Sequence, residues 1–220
     1  MKRQRAYAHL LAVAATLFAA GHASAQTPAT VPAPAVKAPP IAAPAVVRLT
    51  PTVQLAGQTL HLNGKGTRYR AVVRVYDIGL YATTKVSSPE QLAAAPGPKR
   101  LQLITLRELK GDMLGVAMVQ GMQDNAPSGE RIKLIPQMER LSRIFGAEPS
   151  AAAGTALTID YVPGKGTAFY LNGEQKGEAV ADPSYFIAVA RIWLGNKPAD
   201  ATLKDALLGI EAKRAESGGG

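Results

Sequence analysis

From Val53 onward the apolar positions recur first at every second residue and later at every third or fourth, so the chain reads as strands, then helices, then strands and helices again. VQLAG and QTLHL are two short strand patterns. Asn63-Gly64 then reads as a type I′ turn, and Thr67 to Thr83 as one long strand, bent or bulged near Asp77 and Gly79. Ser88-Pro89-Glu90-Gln91 opens a short helix, with serine as the cap, proline at the first helical position and a capping-box glutamine. Lys99 to Leu109 returns to strand.

The middle of the chain is helical. Met113, Leu114, Ala117, Met118, Gly121 and Met122 recur at helical spacing, and Leu134, Met138, Leu141 and Phe145 repeat the pattern. Pro136 lacks an N–H, so the second helix starts there or kinks. Thr155 to Val162 and Thr167 to Leu171 alternate around a Pro163-to-Gly166 turn. Asp182-Pro183 caps a helix whose apolar face is Tyr185, Phe186, Val189, Ile192 and Trp193, ending at Gly195. A last helix carries Leu203, Leu207 and Ile210. This order predicts an α+β fold: one large antiparallel sheet with helices on one face.

Both ends differ from this core. Lys2, Arg3 and Arg5 precede an apolar run from Ala6 to Ala20 and the small-residue triplet Ala23-Ser24-Ala25, so residues 1–25 read as an export leader. The run is short for a membrane span, and no charged stop follows it. Cleavage would leave Gln26 first and a protein in the periplasm, or secreted, without a stable membrane anchor. Residues 26–52 hold seven of the 16 prolines and seven alanines and read as a Pro/Ala-rich disordered linker, or a stiff polyproline-type one. The domain is expected over 53–212, and residues 213–220 as a disordered tail.

Composition narrows the chemistry. The net charge of +9 falls to +6 without the leader, whose three cations are matched by no acid. The remaining basic residues are scattered and rarely interleaved with aromatics, which argues against nucleic acid as a partner. With no cysteine, the fold rests on its core alone. His61 is the only histidine outside the leader, so a His/Cys metal site is excluded. GKGT occurs twice, at 64–67 and 164–167, but glycine follows the lysine where a phosphate loop needs serine or threonine. No glycine pattern supports a dinucleotide site, and no cofactor is expected.

Three features remain. Arg68 enters a strand whose alternate positions are apolar, where its planar fork suits a carboxylate or enolate; an exposed strand arginine is the plainer alternative. Tyr76 has the same strand parity and is a phenolic donor to that anion or a half-buried sheet tyrosine. Met113, Met118 and Met122 form a helix face that is either a ligand wall or ordinary core.

LNGKGTR, VRVYDIGLY and SYFIAVARIWLGNKPAD followed by LKDALLG resemble, in order and spacing, the chalcone isomerase-like family, in its bacterial exported branch. The resemblance covers Val53 to Ile210 and implies an open-faced β-sandwich with a ligand cleft between sheet and helices. Plant members cyclise chalcones; others in the fold bind fatty acids without catalysis, using arginine and tyrosine on the carboxylate. Arg68 matches the active-site arginine, whereas Tyr76 stands where the plant enzymes place a threonine. Met113 stands where they place a tyrosine, and Val116 and Gln120 fall near their lysine and asparagine. The resemblance therefore implies binding of a small amphipathic anion such as a fatty acid, gripped by Arg68 with Tyr76 and Arg107. A cofactor-free isomerase using Arg68 as electrophile is the alternative, and a structural domain without ligand the third reading. The oligomeric state is not legible.

Overall fold

The computed structural model describes residues 48–210. The leader (1–25), residues 26–47 of the linker and the tail (213–220) lie outside the described residues. The strands are β1 (Thr52–Leu55), β2 (Gln58–Arg70), β3 (Val73–Ala82), β4 (Lys99–Thr105), β5 (Leu109–Lys110), β6 (Ser150–Ala151), β7 (Ala156–Val162), β8 (Gly166–Leu171) and β9 (Glu174–Val180). The helices are α1 (Pro89–Ala94), α2 (Gly111–Asn125), α3 (Arg131–Gly146), α4 (Pro183–Leu194) and α5 (Ala201–Leu207).

Seven strands form one antiparallel sheet in the order β1-β2-β3-β4-β7-β8-β9, and β5-β6 form a separate ribbon. The sequence is α+β as read, with strand parity putting one apolar face under the helices. Ile78 and Leu80 of β3, Leu101 and Leu103 of β4, Ile159 of β7 and Phe169 of β8 lie in one core with α4. Helix α4 is buried at eight of its twelve positions, including Tyr185, Phe186 and Trp193, and packs against α1, α2, α5, β7 and β8. Its start follows the sequence: Asp182 accepts from Ser184 N at 2.9 Å and Pro183 takes the first turn. Ser88 likewise caps α1, accepting from Gln91 N at 3.2 Å. In α3, Leu134, Met138, Leu141 and Phe145 are buried, but the helix begins at Arg131 and runs through Pro136.

Four expectations need correction. Asn63-Gly64 is not a turn: β2 continues through it with a bulge, and neither residue has positive φ. The Asn63 amide instead joins three segments, donating to Val86 O (2.9 Å) and Leu207 O (2.8 Å) and accepting from Val86 N (2.8 Å). The expected long strand is broken at Ala71 and Val72, where Ala71 takes φ 52° and the chain reverses into β3. A type I′ Asn-Gly turn does exist, at Asn172 (φ 49°) and Gly173 (φ 85°), and it feeds β9, a strand absent from the sequence reading. The linker is too long as drawn, since Tyr81 Oη donates to Thr50 O at 3.0 Å and Leu62 N to Pro51 O at 2.8 Å, tying down the chain ahead of β1.

Candidate functional site

The site begins with two glycines. A Cβ at Gly64 would stand 2.1 Å from Ala206 O, and one at Gly66 would stand 2.7 Å from Leu203 Cδ1. Their bare backbone lets α5 lie directly on β2, so the first GKGT is a helix-docking surface, not a phosphate loop. The same face continues to Arg68. At the start of α5, Asp200 Oδ1 accepts from Leu203 N (3.1 Å) and Oδ2 accepts from Arg68 Nη1 (3.3 Å). Arg68 also donates to the Tyr69 carbonyl. The ion pair is partly exposed, with 26% and 21% of the two side chains in water.

Across the hairpin, Arg68 is the rung partner of Tyr76. The two do share a face, because they pair between adjacent strands and not because of parity along one strand. The Tyr76 hydroxyl accepts from Trp193 Nε1 at 2.7 Å. Burial holds its pKa above the ordinary tyrosine value, against the opposing effects of the Trp193 hydrogen bond and the Arg68 charge. Tyr76 is therefore a neutral phenol at physiological pH. Indole N–H only donates, so the phenol keeps its own proton, and among the described residues no acceptor takes it.

Tyr76 also lines a cleft between sheet and helices, with Leu103, Leu109, Leu114, Leu157 and Leu171. Its volume is about 10 Å³, barely room for one water. Thr105, the other polar residue facing it from β4, donates to the Ala152 carbonyl and accepts from Thr155 N (2.9 Å). The cleft is thus apolar and closed around its own side chains, with Tyr76 in its wall. A much larger trough, about 1490 Å³, lies on the uncovered face of the sheet among Lys65, Thr67, Arg74, Asp77 and Gln102. It is open to solvent, and the Arg68–Tyr76–Trp193 chemistry faces the other way; we place the candidate site on the helix side.

The remaining candidates stand apart. Met113 is 58% exposed on α2 and lines neither the cleft nor the trough; the helix turns Leu114 toward the cleft and buries Met118 and Met122 along that same side. The three methionines do not share a face, since five residues along a helix is a rotation of about 140°. Arg107 is exposed at the bend after β4 and forms no hydrogen bond or ion pair with the Arg68–Tyr76 rung. Trp193 and Asp200 complete this arrangement and are not among the site residues expected from the sequence. Two signals pointed to them: Trp193 is the single tryptophan, whose N–H needs an acceptor when buried, and Asp200 precedes a helix as a cap.

Residues 43–209 match the family model described as chalcone isomerase-like. Among solved structures, a fatty-acid binding protein of Arabidopsis thaliana superposes with a TM-score of 0.54 at 14% identity, covering 75% of this chain and 99% of that one. At that identity the likeness is one of fold. No curated protein matches the chain at a significant level.

Proposed function

Because the chain belongs to the chalcone isomerase-like family, we propose that it binds a small amphipathic acid of the fatty-acid type in the cleft between sheet and helices. The observation that carries this reading is the Tyr76 hydroxyl. It is fixed by Trp193, keeps an unspent proton and stands beside Arg68, on a residue that lines an apolar cleft. A phenol and a guanidinium together form a carboxylate grip, and the surrounding leucines suit an alkyl chain. The fold neighbour named as a fatty-acid binding protein supports the ligand class. The Asp200 partner of Arg68 weighs against a free electrophile and thus against catalysis.

Two consequences follow from the geometry. The acid must open the cleft, so Leu109 of β5 and Leu114 in the first turn of α2 move outward on binding. It must also share Arg68 with Asp200. Calorimetric titration of dodecanoate and dodecanol tests both the grip and the competition. Arg68→Ala should weaken dodecanoate about ten-fold or more, the loss of a charge-assisted hydrogen bond, and leave dodecanol nearly unchanged. Asp200→Asn should tighten dodecanoate several-fold by removing the competing carboxylate. If Arg68→Ala weakens acid and alcohol equally, or if neither ligand binds, the reading is wrong.

A further inference from the structure

The tip of the β2–β3 hairpin carries side chains that the fold does not bury. Val72 is 91% exposed, with Tyr69 at 45% and Val73 at 42% beside it. Arg70 is exposed, and Arg74 keeps 58% of its side chain in water despite a 3.7 Å contact to Asp77. Between Lys65 and Asp77 the chain has four cations (Lys65, Arg68, Arg70, Arg74) and one carboxylate, and Asp200 pairs with Arg68, which leaves an excess of positive charge. Single exposed apolar residues are ordinary. Here two valines and a tyrosine cluster on one turn, ringed by arginines.

That arrangement matches a surface with anionic groups outside and hydrocarbon beneath. Arginine stems can lie along the apolar layer while their heads stay among phosphates, and tyrosine favours the headgroup level. A folded acidic partner is a poorer match. A stable protein interface takes about 800 Å² from each side, more than a two-residue turn offers, whereas insertion into lipid needs only the tip. Among the described residues no helix is long and apolar enough to cross a membrane.

We propose that the β2–β3 tip docks on an anionic phospholipid surface, inserting Val72 and Val73 while Arg70 and Arg74 meet lipid phosphates. The tip rungs are Arg70 with Val73, Tyr69 with Arg74, then Arg68 with Tyr76. Docking therefore sets the Arg68–Tyr76 rung next to the headgroup layer. The proposal goes beyond acid binding in the cleft and stands whether or not that reading holds.

The chain has no cysteine, so Val72→Cys accepts one environment-sensitive dye in the full chain. The control position is Lys165, in the β7–β8 turn. That turn lies at the opposite end of the sheet, because Tyr161 pairs with Lys99 and Lys99 with Ala82, the last residue of β3. With vesicles containing phosphatidylglycerol and phosphatidylcholine in equal parts, the dye at 72 should shift to the blue; the dye at 165 should not. Pure phosphatidylcholine should give a much weaker response. Adding Arg70→Glu changes the tip by two charges and should weaken the response roughly 25-fold, about five-fold per charge, with the thermal midpoint unchanged. No shift at 72, an equal shift at 165, indifference to Arg70→Glu, or an equal response to polyglutamate without lipid would each overturn the proposal.

Discussion

Gly64→Ala is the most demanding single test of how this site is assembled. The added methyl would fall 2.1 Å from Ala206 O, 2.5 Å from Leu207 O and 2.7 Å from Leu207 C. All three are backbone atoms, so no rotamer change relieves the clash and the end of α5 must move away from β2. Overpacking of this kind costs about 1–3 kcal/mol. The shift also breaks the Asn63 bond to Leu207 O, at about 1 kcal/mol. The expected loss is therefore about 3 kcal/mol of a total that is typically 5–15. Gly57→Ala is the matched control. It has positive φ (76°) but open space around its Cβ, so it should lose only the left-handed penalty of about 1–2 kcal/mol. Urea unfolding of both variants and wild type measures the difference. A Gly64→Ala protein within 1 kcal/mol of wild type, or no worse than Gly57→Ala, would show that α5 is not seated on β2 as described.

The buried tyrosines predict an alkaline limit. Burial raises the pKa of Tyr76, Tyr81 and Tyr185 in the folded chain above that of the unfolded chain, so their stabilisation is complete below about pH 10 and is lost as pH climbs past it. In urea titrations above pH 10, Tyr185→Phe should make the fall in stability shallower by up to about 1.4 kcal/mol per pH unit; an unchanged slope would contradict the raised value. Intact-mass measurement of exported protein should find Gln26 at the N-terminus, and a membrane-retained full-length chain would refute the leader reading. Naringenin chalcone should show no turnover above its spontaneous rate by absorbance, and saturable turnover abolished by Arg68→Ala would establish catalysis.

Helices were more legible in this sequence than strands, for a physical reason. Ser88-Pro89 and Asp182-Pro183 act locally: each cap bonds to a backbone N–H two or three residues on, so composition alone reveals it. The β2–β3 reversal is invisible because it uses Ala71 and Val72, neither of them a turn former, and pays for φ 52° at an alanine through the pairing of two long strands. The same Asn-Gly dipeptide makes a turn at 172–173 and a helix-docking bulge at 63–64, since contact with α5 decides the second case. The sequence singles out Arg68 and Tyr76 as candidates, but not the partners they take. Asp200 lies 132 positions from Arg68, and Trp193 lies 117 from Tyr76, distances over which no periodicity carries information.

The junction of β4 with β7 governs the order in which the sheet can assemble. Thr105 and Thr155 are hydrogen-bonded neighbours at this seam although 50 positions separate them. The β1–β2, β2–β3, β7–β8 and β8–β9 pairs close through short loops. Closing a loop of that length costs about 3 kcal/mol more chain entropy than closing a two-residue one. During synthesis β1 to β4 can pair as soon as they emerge, while the free edge of β4 waits for α2, α3 and then β7. For that interval a strand with apolar Leu101 and Leu103 presents unpaired backbone to any passing chain. The nascent half-sheet, more than the finished domain, is where a holdase chaperone would find its client.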